Sequence, residues 1–213
     1  MRLVLASNNA KKLAELRALF GALPLELVAQ GQLGVAEAEE PHGTFMENAL
    51  AKARHAAAAS GCAAIADDSG LCAEALGGAP GVISAHYAGV VPPVADAPGD
   101  REALRARQDA ANNALLLQRL QGVADRRARF VSTLVALRSA NDPEPLVAFG
   151  RWEGRLLRAP SGEGGFGYDP LLFIDEAGCT VAQMSAAQKN AISHRARAAA
   201  QMGAMLREVW HLG

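Results

Sequence analysis

The chain has 213 residues, with 21 basic and 22 acidic side chains, a formal net charge of −1, and half its residues hydrophobic. That length buries a sizeable core in one domain over residues 1–213, and the neutral balance argues against a general nucleic-acid binder, which needs a basic face for phosphates. No stretch reaches the roughly 18 apolar residues that cross a bilayer, and the apolar run at Met1–Ala6 is too short for a secretory leader, so a cytoplasmic protein, off the membrane, is expected.

Residues 1–6 read as a short buried strand leading through polar Ser7-Asn8-Asn9 into a helix over Lys11–Phe20, with Leu13, Leu16, Leu19 and Phe20 on one face. Strand, polar turn and helix open an α/β unit, and Leu25–Ala29 suits a second strand. Thr44-Phe45-Met46-Glu47 fits a capping box, so Glu47 has a structural reading. The alanine-rich helix that follows reaches about Ala59 and ends at Ser60-Gly61, and His55 reads as an ordinary member of it. Ala63–Ala66 reads as a short buried strand running into Asp67-Asp68-Ser69-Gly70. Residues 88–100, rich in proline, glycine and alanine, predict an exposed loop before a long helix over Arg101–Leu120. Ala128–Leu137 and Pro145–Leu157 suit paired strands, with Gly150 and Gly154 marking a bend or bulge. A glycine-rich loop, Ser161–Pro170, precedes the strand Leu171–Phe173, and a helix over Ser193–Trp210 closes the chain. The pattern predicts an α/β fold with a mixed sheet and helices on its faces. Cys62, Cys72 and Cys179 stand at no metal-ligand spacing and read as small hydrophobes.

Five segments carry candidate chemistry. Ser7-Asn8-Asn9-Ala10-Lys11-Lys12 lies where a helix start offers N–H groups and a favourable dipole to an anion, although an ordinary N-cap with solvated lysines would look the same. Asp67-Asp68-Ser69-Gly70 brings adjacent carboxylates to a strand's C-terminal end, where open α/β sheets bind ligands. Only one of the two need face a ligand, and a plain turn is the competing reading. Glu39-Glu40 alone reads as a solvated loop. Gly164-Gly165-Phe166-Gly167-Tyr168-Asp169 combines close backbone approach with an aromatic face and a carboxylate, which suits a nucleobase or a structural turn. Lys189, His194 and Arg195 cluster at a helix start; arginine, carrying only donors, would match the keto oxygen of a 6-oxopurine.

Together these segments resemble the inosine triphosphate pyrophosphatase family along nearly the whole chain. The resemblance is carried by Ser7-x-Asn9-x-x-Lys12, Glu40 through Thr44-Phe45-x-Glu47-Asn48-Ala49, and Ala66-Asp67-Asp68-Ser69-Gly70-Leu71. It continues through Leu76-Gly77-Gly78-Ala79-Pro80-Gly81, Gly164–Pro170 and Ile192-Ser193-His194-Arg195. It implies an elongated mixed sheet flanked by helices, with two lobes and the active site in the cleft between them, in a homodimer. It implies a phosphate cradle from Ser7 to Lys12 and Asp68 as the catalytic general base. Glu40 joins Asp68 at Mg2+, and Ser69 contacts the substrate. Phe166 stacks on the base beside Gly167, Tyr168 and Asp169, while Lys189, His194 and Arg195 close the pocket. The implied reaction converts non-standard purine nucleoside triphosphates (dITP, ITP, XTP) to the monophosphate and pyrophosphate. Ser84-Ala85-His86-Tyr87, where relatives often place an arginine after Ser-Ala, and a longer 92–107 segment depart from the family pattern. The rival expectations are a pyrophosphatase for modified pyrimidine nucleotides and a nucleotide sensor without turnover, with an RNA-binding module further off.

Overall fold

The computed structural model describes residues 1–90 and 101–212. Its elements are β1 (Arg2–Leu5), α1 (Ala10–Leu19), β2 (Glu26–Ala29), α2 (Phe45–Ser60), β3 (Ala63–Ala73), α3 (Arg101–Arg119), β4 (Arg127–Leu137), β5 (Leu146–Leu156), β6 (Leu172–Ile174), β7 (Cys179–Thr180), α4 (Ala186–Ile192) and α5 (His194–Glu208). The strands form a seven-stranded mixed sheet in the order β2-β1-β3-β4-β5-β6-β7. β1 runs parallel to β2 and to β3 (Leu3 opposite Leu27 and Ala63), whereas β6 is antiparallel to β5 and β7 (Phe173 opposite Arg155 and Thr180). Among the described residues no helix is long and apolar enough to cross a membrane. Residues 91–100 of the expected proline-rich loop, and with them the start of the longer 92–107 segment, lie outside the described residues.

The chain divides into two compact units. The first holds Met1–Ser69, Val131–Arg151 and Asn190–Gly213, and the second Gly70–Phe130 and Trp152–Lys189. In the first unit the period of two along a strand sorts side chains onto two faces. Leu3, Leu5, Ile65, Leu134 and Ala136 pack with Leu16 and Phe20 of α1 and with Ala198, Ala199, Met202 and Leu206 of α5. Their sequence neighbours Val4, Ala6, Ala64, Ala66, Val135 and Leu137 pack instead against Ala49, Ala53, Ala56 and Ala57 of α2. That alanine stripe recurs at helical spacing and presents methyl groups only, so α2 can lie close to the sheet. Its N-cap is Thr44, which accepts from Glu47 N–H, and it ends at Gly61 in the left-handed region (φ 65°), both as the sequence predicts.

One expectation is corrected. The strand beginning at Ala63 does not stop at Ala66; β3 runs unbroken through Asp67-Asp68-Ser69-Gly70 to Ala73, so the aspartates sit mid-strand and not in a turn. Gly150 and Gly154, expected at a bend or bulge, both lie within β5. A Cβ at Gly150 would overlap the His194 carbonyl oxygen, and one at Gly154 the Phe173 carbonyl oxygen, so each glycine admits a neighbouring backbone. α4 and β7 were not predicted.

Candidate active site

Alternation along β3 decides what each aspartate can do. Asp67, odd-numbered like Leu3 and Ile65, faces α1 and α5 and is fully buried. Its Oδ2 lies 3.0 Å from Lys12 Nζ and accepts from Arg195 Nε (3.2 Å), Arg195 Nη2 (3.1 Å) and Ser69 Oγ (3.1 Å), while Oδ1 accepts from Ser132 Oγ at 2.7 Å. Burial alone would raise this carboxyl, but Arg195 and then Lys12 outweigh it and hold the group well below its ordinary range. Arg195, also buried, donates to Glu15 and to Ser69 Oγ as well. A carboxylate so ringed by donors and held well below its ordinary range is a counter-ion, not a proton acceptor near neutral pH.

Asp68 faces the other way, onto α2. Lys52 Nζ donates to Asp68 Oδ1 (2.7 Å), Glu40 Oε2 (3.0 Å) and the Asp67 carbonyl (3.3 Å). Asp68 Oδ2 is buried and has no hydrogen-bond partner among the described residues. Burial pushes the Asp68 carboxyl up; Lys52 opposes and Glu40 adds to it, leaving the group at about 6. Burial works against the Lys52 ammonium too, but Asp68 and Glu40 raise it, so it stays charged. Glu40 is half-exposed and lowered, because Lys52 outweighs its partial burial. Two residues beyond Glu40, His42 donates its N–H to Asn48 Oδ1 (3.0 Å) and its carbonyl accepts from Asn48 Nδ2 (3.1 Å), which pins the segment that carries Glu40. The result is a carboxylate poised near neutral pH with one oxygen available for a proton.

Among the described residues no cluster of three or more His, Cys, Asp or Glu could hold a metal ion. Glu40 Oε2 and Asp68 Oδ1 nonetheless converge on one cationic atom, Lys52 Nζ, which marks a place where two hard oxygen donors can share a cation. One or two carboxylates completed by substrate phosphates is the way magnesium is commonly held, so the donor set fits that ion.

The segment before α1 is more heavily capped than expected. Asn9 Oδ1 accepts from Lys11 N–H (3.0 Å) and Lys12 N–H (3.2 Å), and Ser7 Oγ accepts from Asn9 N–H (3.1 Å). Asn8 Oδ1 accepts from Gly31 N–H at 2.9 Å, tying this turn to the 3-10 turn Gln30–Leu33 that follows β2. Ala10 begins α1, Lys11 is exposed, and the Lys12 ammonium rests on Asp67.

In the second unit the glycine-rich loop closes on Asp169. Its buried Oδ2 accepts from Phe166 N–H (2.9 Å) and Lys189 Nζ (2.8 Å), and Lys189 Nζ stands 4.5 Å from the centre of the Phe166 ring. Gly165 is required here, because a Cβ would overlap the Asp169 carboxylate. Phe166 thus presents a partly exposed ring backed by an ammonium, suited to a flat aromatic ligand. Tyr168 is buried, and its hydroxyl donates to the Ser84 carbonyl at 2.9 Å. His86, the departure noted in the sequence, is exposed at the end of the 3-10 turn Gly81–His86. At the start of α5, Ser193 caps the helix by accepting from Ala196 N–H (3.1 Å), and His194 is buried beside Arg195.

The structure therefore gathers Asp67, Ser69, Lys12 and Arg195 in one cluster, Asp68 and Glu40 in a second, and Phe166, Asp169 and Lys189 in a third. Sequence reasoning missed Lys52, Glu15 and Ser132. Lys52 had a signal: it is a lysine inside the alanine stripe of α2, one turn after the equally buried Asn48. Glu15 and Ser132 had none, since only the fold brings them to Asp67 and Arg195.

Residues 3–205 match the family model described as the Ham1 family. The chain belongs to that family. Ham1 relatives include the dITP/XTP pyrophosphatase of Methylibium petroleiphilum, 72% identical over 210 residues and 99% of either chain. The dITP/XTP pyrophosphatase of Leptothrix cholodnii is 69% identical over the full length of both chains. A solved Ham1 protein from Coxiella burnetii superposes with a TM-score of 0.85 at 40% identity, covering 98% of this chain and 99% of its own. The Ham1 match spans both compact units, so it embraces all three clusters.

Proposed function

We propose that this Ham1 protein hydrolyses non-standard purine nucleoside triphosphates such as dITP, ITP and XTP to the nucleoside monophosphate and pyrophosphate. The observation that carries the reading is the setting of Asp68: a buried carboxylate bonded to Lys52 beside Glu40, with Oδ2 unpartnered among the described residues and the carboxyl pushed up to about 6 by burial. Asp68 Oδ2 takes a proton from a water molecule as that water attacks the α-phosphorus; the bond from the α-phosphorus to the bridging oxygen breaks, and pyrophosphate leaves with the electron pair. Lys52 and Lys12, with the turn Ser7–Lys11, steer the triphosphate, and Ser69 touches it. Glu40 and Asp68 would hold Mg2+, which when bound offsets the negative charge of the phosphates. Asp67 keeps its ring of donors and takes no proton.

The base is received by the Phe166–Asp169 loop, stacked on Phe166 with Lys189 at its edge, while His194 and Arg195 present donors to the 6-oxo group, Arg195 from its anchored position on Asp67. Adenine, which places an amino group there, leaves those donors unmet, and a mismatch of buried polar groups excludes a substrate strongly. Residues 1–213 act as one catalytic domain in a cytoplasmic homodimer, a reading supported by the likeness to the family. The test is hydrolysis of dITP, XTP, dGTP, ATP and dUTP with Mg2+, scoring pyrophosphate apart from orthophosphate. Pyrophosphate release confined to dITP and XTP is the expected result. Release of orthophosphate, absence of base preference, or binding of nucleotide without turnover would each overturn it.

A further inference from the structure

The tip of the Phe166–Asp169 loop is held by a helix that no sequence motif singles out. Asp109 and Asn113 stand four residues apart on α3, hence on one face. Asp109 Oδ2 accepts from Gly167 N–H at 2.7 Å, and Asn113 Nδ2 donates to the Gly167 carbonyl at 3.0 Å. Both polar groups of one residue are therefore gripped from the same helix. Gly167 lies in the left-handed region (φ 62°), where a side chain would be strained. The chain turns sharply there, and the directions in which Phe166 and Tyr168 leave it depend on how that turn is held. Asp109 is also close enough to Tyr168 to help raise its phenol, behind the larger effects of burial and Tyr87.

The preceding pair on α3 does the same for a second loop. Asn112 donates to the Ser84 (3.2 Å) and Ala85 (3.0 Å) carbonyls and accepts from Ala88 N–H (3.0 Å), and Gln108 donates to the Gly89 carbonyl (2.8 Å). Tyr168, whose hydroxyl also rests on the Ser84 carbonyl, belongs to both supports. Side chains that reach for peptide groups fix a loop's position as apolar contacts do not, because hydrogen bonds are directional. Asn113 makes its contact at a cost, since its Oδ1 is buried without a partner among the described residues.

We infer that Asp109 and Asn113 are positioning residues for base recognition: by holding the Gly167 peptide groups they set the Phe166 ring against Lys189 for the incoming purine. The inference rests on the reading of Phe166 as the base-stacking face. It is tested on the full-length enzyme with dITP and Mg2+, comparing Asp109→Leu, Asp109→Asn, Asn113→Leu and Phe166→Ala. Asp109→Leu should raise KM about tenfold, the share of one hydrogen bond to a charged group. Its kcat should stay within about twofold of the parent, the signature of lost binding that is uniform along the reaction. Asp109→Asn retains an acceptor oxygen and should restore most of the KM, and Asn113→Leu should shift KM in the same direction by less. A folded Asp109→Leu enzyme with unchanged KM, or an Asp109→Asn enzyme as impaired as Asp109→Leu, overturns the inference. Should Asp109→Leu fail to fold, the KM of Asn113→Leu decides by the same criterion. Phe166→Ala separates the two levels. Raised KM there with normal KM in the α3 variants overturns the positioning role alone, whereas normal KM in all of them overturns the stacking reading as well.

Discussion

The two faces of β3 carry adjacent aspartates in opposite electrostatic situations. On the α1/α5 face Asp67 meets two cations and two hydroxyls, so its charge is fully compensated and its carboxyl is held low. On the α2 face Asp68 pairs with Lys52, which it shares with Glu40, and among the described residues its Oδ2 has no partner; burial, with Glu40 beside it, therefore holds its carboxyl high. Both are buried to a similar degree. Burial alone therefore does not distinguish them; the count of donors does. The same strand builds a structural counter-ion and a candidate base from identical side chains one residue apart.

The largest effect that would sharpen this contrast is on stability. Asp67→Asn leaves the buried Arg195 guanidinium short of its main counter-ion, and unfolding by urea should show a loss of about 3–5 kcal/mol. A loss near zero would mean that Glu15 alone suffices for Arg195. Asp68→Asn should behave in the opposite manner: kcat should drop by about 10²–10³-fold, the usual share of a general base, with the fold retained. Near-normal kcat would remove Asp68 from the chemistry.

The pH dependence of stability separates the pair next, measured without metal on the parent and Asp68→Asn. Asp68 is raised from 3.8 to about 6 in the folded protein, so its contribution is fully present below pH 3.8 and is lost as pH rises through about 6. Between pH 4 and pH 8 the parent should therefore lose on the order of 1–3 kcal/mol of stability that Asp68→Asn does not lose, whatever the pH-independent effect of the substitution on Lys52. Asp67 works with the reverse sign: its contribution is present above 3.8 and fades as pH falls towards its depressed folded value. Parallel stability profiles of Asp68→Asn and its parent over that range would contradict the raised carboxyl assigned to Asp68. The smallest effect belongs to Ser132→Ala, which removes one donor of several from Asp67. It should cost about 1–2 kcal/mol and leave kcat unchanged, because Arg195 and Lys12 remain.

Much of the fold was legible because its signals are local. Thr44 before α2, Asn9 before α1 and Ser193 before α5 each cap the helix they precede, and Gly61 ends α2 where predicted. The length of β3 was misread for a physical reason. Asp-Asp-Ser-Gly has the composition of a turn when its polar groups must be satisfied locally. Here they are satisfied by Ser132 and Arg195, 65 and 128 residues away from Asp67, and the strand continues. Lys52 was passed over because an alanine helix invites a bland reading, and the short α4 because its Lys189 was grouped with His194 and Arg195 at the start of the following helix.

By itself the amino-acid order determined the α/β alternation, the helix ends and the segments in which Glu40, Asp68, Phe166 and Lys189 reside, since caps, periodicity and motif spacing act within a few residues. Which aspartate is ringed by donors and which has an oxygen without a partner among the described residues was decided only in three dimensions. So was the pairing of Arg195 with Asp67 and the grip of α3 on Gly167. Charge compensation and peptide hydrogen bonds depend on atoms within about 4 Å, and only the folded chain brings such distant residues that close.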